Sequence, residues 1–189
     1  MAGSISCVYE LDEKLRIVSV GAGWAEFAMT NRAPELVPPP GPLGQSALSC
    51  IADSTSEQVF DRLFKRVTET GRAIEFPFRC DSPTLRRFME FRIEPRNPAG
   101  LRIETTMERV EARPPVALLE PRREHGGDLL RMCGWCKAVD LDGRWCEVEE
   151  ALTALRLFER DQLPAITHGM CPSCSERMLQ LLDDGVDEG

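Results

Sequence analysis

Two Cys-x-x-Cys pairs constrain this chain more than anything else in it: Cys133 and Cys136 in "MCGWCK", and Cys171 and Cys174 in "HGMCPSC". Each pair bends a tight turn that aims two sulfurs at one point. Two such turns in one short segment are the pattern of a zinc site. The pairs are separated by 34 residues, 137 to 170, a longer gap than in the commonest zinc ribbon, so spacing alone does not give the fold. Gly134 eases the first turn. Pro172 suits the first position of a helix, "PSCSERMLQLL", with Met178, Leu181 and Leu182 on its apolar side. A helix N-terminus favours thiolates through its free N–H groups and its dipole. Four thiolates complete a tetrahedron and leave no position for water, so the reading is structural zinc rather than catalytic zinc.

The same residues have other readings. "CGWC" resembles the thioredoxin redox motif, but that motif belongs between a strand and a long helix, and here a hairpin pattern follows. His168, three residues before Cys171, is an alternative ligand. Its expected role is a hydrogen bond to a metal thiolate or to the backbone. Trp135 and Trp145 are expected to pack over the site, and Cys7, Cys50, Cys80 and Cys146 to be small buried residues. Between the pairs, "KAVDLDGRWCEV" predicts a hairpin turning at Asp142-Gly143. "EVEEALTALRLFERD" predicts a helix with Leu152, Leu155 and Phe158 facing inward.

A two-sulfur turn, a hairpin and a helix start with two more sulfurs resemble a treble-clef zinc fold. The run also resembles a cysteine-rich module at the C-terminus of bacterial PAS and receiver-domain signalling proteins. The landmarks are Cys133, Cys136, Lys137, Gly143, Trp145, His168, Gly169, Cys171, Pro172 and Cys174. That resemblance implies a bacterial source and a signalling accessory rather than a reaction. A module of roughly 50–60 residues is near the lower limit for a stable core. Structural zinc contributes on the order of 10–16 kcal/mol in finger peptides, comparable to the stability of a whole domain.

The N-terminal half reads differently. Residues 5–20 predict two strands around "LDEK", and 22–31 a short helix. Residues 33–44 form a loop with five prolines and two glycines. The best helix is 54–71, with Ser54 and Glu57 as a capping box and Gly71 as its stop. Val59, Phe60, Leu63, Phe64 and Val67 recur at helical spacing. Three strand patterns follow. Ile74, Phe76 and Phe78 alternate with Glu75 and Arg79. Met89, Phe91 and Ile93 alternate with Glu90 and Arg92. Leu101, Ile103 and Met107 alternate with Arg102 and Glu104. Their short connections predict an antiparallel meander.

This order resembles a PAS domain, carried by "YELDEKLRIVSVGAGWAEFA" and "LGQSALSCIADSTSEQVFDRLFKRVTETG". The expected class is α+β: a PAS-like five-stranded antiparallel sheet with helices, then a treble-clef-like zinc module. The expected organisation is a sensor domain over 1–110, a linker over 111–128 containing His125, and the zinc module with an acidic tail over 129–189.

Partners and cofactors follow from charge and composition. The net charge of −8, from 23 basic and 31 acidic residues, repels phosphate backbones, so no nucleic-acid partner is expected. No apolar run reaches the roughly 18–20 residues that cross a bilayer, and the start lacks a signal-peptide pattern, so the expected location is the cytoplasm with no membrane partner. Eight cysteines there point to metal or redox work. Both histidines lie outside the PAS-like half, which disfavours a histidine-ligated haem there. The cysteine motif of flavin-binding relatives is absent. Trp24, Phe60, Phe64, Phe76, Phe78 and Phe91 form either an ordinary core or the lining of a small apolar pocket. No nucleophile with a base, phosphate loop or open metal site is found, so the expected function is non-enzymatic. The PAS resemblance implies sensing and a homodimer through that domain, with the zinc module contacting a protein partner in a signalling pathway. The alternative is a thiol-redox or metal-responsive switch acting through the two pairs.

Overall fold

The computed structural model describes residues 6–30, 33–51, 53–120, 125–160 and 162–183. The acidic tail beyond Asp183 and linker residues 121–124 lie outside them. The chain divides into two compact units: Met1–Pro77 with Met89–Glu108 and Gln180–Gly189, and Phe78–Phe88 with Arg109–Leu179.

The first unit is built on a five-stranded antiparallel sheet. Strands β1 (Ser6–Leu11) and β2 (Ile17–Val20) pair with Tyr9 opposite Val20 and Leu11 opposite Ile17. Asp12 makes their turn by accepting hydrogen bonds from the backbone N–H groups of Lys14 (2.9 Å) and Arg16 (2.8 Å). Helix α1 (Gly23–Thr30) carries Trp24, whose ring meets Tyr9 edge-on at 5.5 Å. Helix α2 (Ser54–Thr70) buries Leu63, Phe64 and Val67, the helical-period face. Its cap is Asp53, which accepts from the Ser56 N–H, so capping starts one residue before the expected Ser54–Glu57 box. Gly71 closes it at φ 66°, in the left-handed region.

Strands β3 (Ile74–Arg79), β4 (Leu85–Pro95) and β5 (Leu101–Ala112) complete the sheet order β2-β1-β5-β4-β3. Met89, Phe91, Ile93, Leu101 and Ile103 are buried as the alternation requires, but Thr105 rather than Met107 takes the next inward position of β5. Phe60, Phe64, Phe76 and Phe91 pack ring on ring; Phe76 and Phe91 stack at 5.2 Å. The β4–β5 turn ends on Gly100 at φ 108°. A Cβ there would lie 2.0 Å from the Leu11 carbonyl oxygen, so only glycine fits.

The second unit holds a four-stranded sheet of order β8-β7-β6-β9. Strand β6 (His125–Cys133) leads to a hairpin of β7 (Val139–Leu141) and β8 (Arg144–Cys146). Asp142 (φ 52°) and Gly143 (φ 93°) form the two-residue turn where the sequence predicts it. Helix α3 (Val148–Ala154) then crosses to β9 (Leu163–Gly169), which runs parallel to β6, and α4 (Pro172–Asp183) follows.

Two local expectations fail here. The helix after the hairpin stops at Ala154 instead of running on, because Arg156 turns the chain at φ 48°. Leu157 is consequently buried, and Phe158, expected inward, is 73% exposed. The stretch read as a linker supplies the end of β5, the start of β6, and two buried core side chains, Val116 and Leu118. These pack with Leu130, Met132, Val139, Val148, Leu152 and Leu163.

Candidate metal centre

The parallel pairing of β6 with β9 builds the centre. Cys133, the last residue of β6, lies opposite Gly169, the last of β9. Two parallel strands in this register end at the same level, so the turns leaving them emerge side by side. The 34-residue gap is thereby accounted for as a hairpin, a helix and a returning strand.

The first turn is held by backbone bonds. Cys133 N–H donates to Ala138 O (2.7 Å), Lys137 N–H to Cys133 O (3.0 Å), and Gly134 N–H to Gly169 O (2.9 Å). The left-handed residue of this turn is Lys137 (φ 63°). Its ammonium secures the strained position by donating to Gly134 O at 2.7 Å. The second turn enters α4 at Pro172, as expected for a first helical residue, with Cys171 just before the helix and Cys174 in its first turn.

The sulfurs of Cys133, Cys136, Cys171 and Cys174 all lie within 4.8 Å of one another. The Cys136 and Cys171 sulfurs are 3.7 Å apart. A tetrahedron with metal–sulfur bonds of about 2.3 Å has edges of about 3.8 Å, so these residues fit a four-thiolate metal site. Cys133, Cys171 and Cys174 are buried and Cys136 is half-buried.

Local electrostatics favour a first negative charge on Cys133. Hydrogen bonds from the Cys136 and Cys174 thiols, and the Cys171 N–H at 3.4 Å from its sulfur, hold its pKa well below the usual thiol range. Sharing their protons with Cys133 pushes Cys136 up to about 11 and raises Cys174 as well. Burial lowers the Lys137 ammonium, an effect opposed by Cys80, Asp81 and Cys133.

The other candidates are placed as follows. His168 lies on β9 opposite Met132, is exposed, and is not in the four-residue group. Trp135 is buried within the first turn. Trp145 is half-buried, with the Arg131 guanidinium 5.1 Å from its ring. Cys7 and Cys146 are buried as expected. Cys50 is exposed, because its short 3-10 turn (Leu48–Cys50) buries none of its residues, and Cys80 is half-buried.

Sequence reasoning missed one partner of the first turn. Arg79 was expected on the outer face of its strand, yet it is buried, and its backbone N–H donates to Trp135 O at 2.7 Å. Its guanidinium binds Asp81 (3.2 and 2.5 Å) and both Glu147 oxygens (2.8 and 2.9 Å). Arg113 joins through Asp81 (3.1 Å) and Ser82 O (2.7 Å), and Arg86 binds Glu149 at 2.7 Å. Pairing is what permits these charges below the surface. The carrying signal, the charge-rich "RCDSP", reads equally well as a solvated turn.

No protein-family model matches the chain, and no curated protein matches it. Among solved structures, a domain of an HTR-like protein from Haloarcula marismortui aligns over 56% of this chain and 97% of its own length. It shares 18% identity at a TM-score of 0.34.

Proposed function

We propose that this chain is a non-enzymatic regulatory protein of bacterial cytoplasmic signalling. Its first unit acts as a PAS-like sensing or dimerising element, and its second unit is a treble-clef-like module whose four cysteines hold a structural zinc ion and which contacts a protein partner. The observation that carries the reading is the convergence of Cys133, Cys136, Cys171 and Cys174 from two turns at the ends of paired strands. Four sulfur donors suit zinc over harder cations and leave no open position for substrate. The five antiparallel strands with α1 and α2 are consistent with the PAS resemblance of the sequence. The aromatic side chains proposed for a ligand pocket include four that pack on one another, which favours an ordinary core.

Native mass spectrometry of the reduced chain tests this in one measurement. The expected spectrum is a dimer with one zinc per subunit and no further cofactor. Metal-free folded chain would overturn the zinc assignment, and a strictly monomeric species the dimerising role.

A further inference from the structure

We propose that Cys136 is the modification site of the centre: the sulfur that peroxide attacks first, with Cys171 as the sulfur that then joins it in a disulfide. This rests on the metal reading and goes beyond it by ranking four chemically identical ligands. Cys136 alone among the four is half-buried; the other three are buried. With the ion bound all four sulfurs are thiolates, so the proton order of the metal-free centre no longer separates them and access does. The structure also accounts for the shielding of the rest. Cys133 ends β6 with none of its surface exposed, and its sulfur accepts from the Cys171 N–H at 3.4 Å. Cys171 and Cys174 are covered at the start of α4. Cys136 lies in the turn beyond β6, and its sulfur lies 3.7 Å from that of Cys171.

The chemistry balances as two displacements. The Cys136 thiolate attacks one oxygen of hydrogen peroxide, the O–O bond breaks, and hydroxide leaves. The sulfur becomes a sulfenic acid as the peroxide is reduced. The Cys171 thiolate then attacks that sulfur, the S–S bond forms, the S–O bond breaks, and a second hydroxide leaves. Two thiolates and one peroxide give one disulfide and two hydroxides. The product bridges the two Cys-x-x-Cys pairs rather than closing either one, and it removes two of the four metal ligands.

The test uses the full chain carrying Cys50→Ser, which removes an exposed thiol outside the centre. Zinc content is measured first, then substoichiometric peroxide is added. Zinc release is followed with a chromophoric chelator, and the cysteines are mapped by peptide mass spectrometry. The expected result is Cys136 trapped first as its sulfenic acid, then a peptide pair linked through Cys136 and Cys171, with Cys133 and Cys174 oxidised on the order of tenfold more slowly. Cys136→His keeps four ligands and is expected to bind zinc and release it more slowly under peroxide. A chain that takes up no zinc overturns the metal reading itself. A zinc-loaded chain oxidised first at Cys133, Cys171 or Cys174, or closed within one pair, overturns this inference alone. So does unchanged zinc release from Cys136→His.

Discussion

Replacing Asp81 with alanine is the sharpest test of how the second unit is held. The Asp81 side chain is 1% exposed and accepts from Arg79 at two atoms, from Arg113 at 3.1 Å, and from the Arg87 backbone N–H at 3.3 Å. Deleting it leaves two buried guanidinium groups short of their shared counter-charge. Removing one partner of a buried ion pair costs about 3–5 kcal/mol. Both arginines keep other partners: Arg79 retains Glu147, and Arg113 retains Ser82 O and a longer contact to Glu149 at 3.4 Å. The loss therefore falls at the lower end, about 3 kcal/mol. Asp81→Asn keeps the shape and an acceptor, and should cost about 1–2 kcal/mol. The assay is urea unfolding of the metal-loaded chain followed by tryptophan fluorescence, since Trp135 and Trp145 both report on this unit. With a slope of about 1–3 kcal/mol per molar, the Asp81→Ala midpoint moves down by roughly 1–3 M. Lys65→Ala, which breaks an exposed pair with Asp61, serves as the control and should cost under about 1 kcal/mol. If Asp81→Ala matches that control, the network is not what holds this unit.

Three further outcomes are expected. Burial pushes the Cys7 thiol up to about 11, so the folded state disfavours its ionisation; that contribution is intact below the ordinary thiol value of 9.0 and disappears as pH climbs through 11. Wild-type chain should lose roughly 2–3 kcal/mol more than Cys7→Ala across that window in pH-dependent unfolding. Gly100→Ala places a Cβ 2.0 Å from the Leu11 oxygen and should cost more than about 3 kcal/mol, against about 1–2 for Gly44→Ala, where φ is 82° but the space is open; melting temperatures compare them. Zinc binding must displace the protons that Cys136 and Cys174 hold above the usual thiol range, so apparent affinity in chelator competition should rise with pH and fall in acid.

What the sequence made legible was local. The hairpin at Asp142-Gly143, the Pro172 helix start, the α2 face and the Gly71 stop each rest on residues within a few positions of one another. The four cysteines were legible for the same reason, because each pair is its own short motif. What the sequence did not reveal depended on distant pairing. Strand β9 ("LPAITHG") has no clean alternation, and becomes a strand because β6 offers it a parallel partner. Arg79 looked outward-facing because period two was carried past the end of its apolar run. Its burial required Asp81, Arg113 and Glu147, the last of them 68 residues away. The α3 boundary was missed because nothing in "ALRLFERD" marks Arg156 as left-handed.

These distant pairings also change what metal removal should do. Counted from sequence, the zinc module was roughly 50–60 residues and leaned on zinc for most of its stability. In the structure, the second unit spans about 80 residues, with the β3–β4 turn and the former linker built into it. It has its own apolar core around Met132, Val139 and Leu152, and the Asp81 network besides. Metal is then one of several constraints, and its loss should act locally. Chelation should expose to hydrogen exchange the amides of Gly134, Lys137 and Ser175, whose bonds are made in the two turns. The β7–β8 hairpin and the β6–β9 ladder away from Cys133 should keep their protection, since their bonds and core contacts do not pass through a sulfur. Uniform loss of protection across residues 139–146 and 163–167 on chelation would show that the core cannot stand without the ion, and that the smaller, metal-dependent module is the true description.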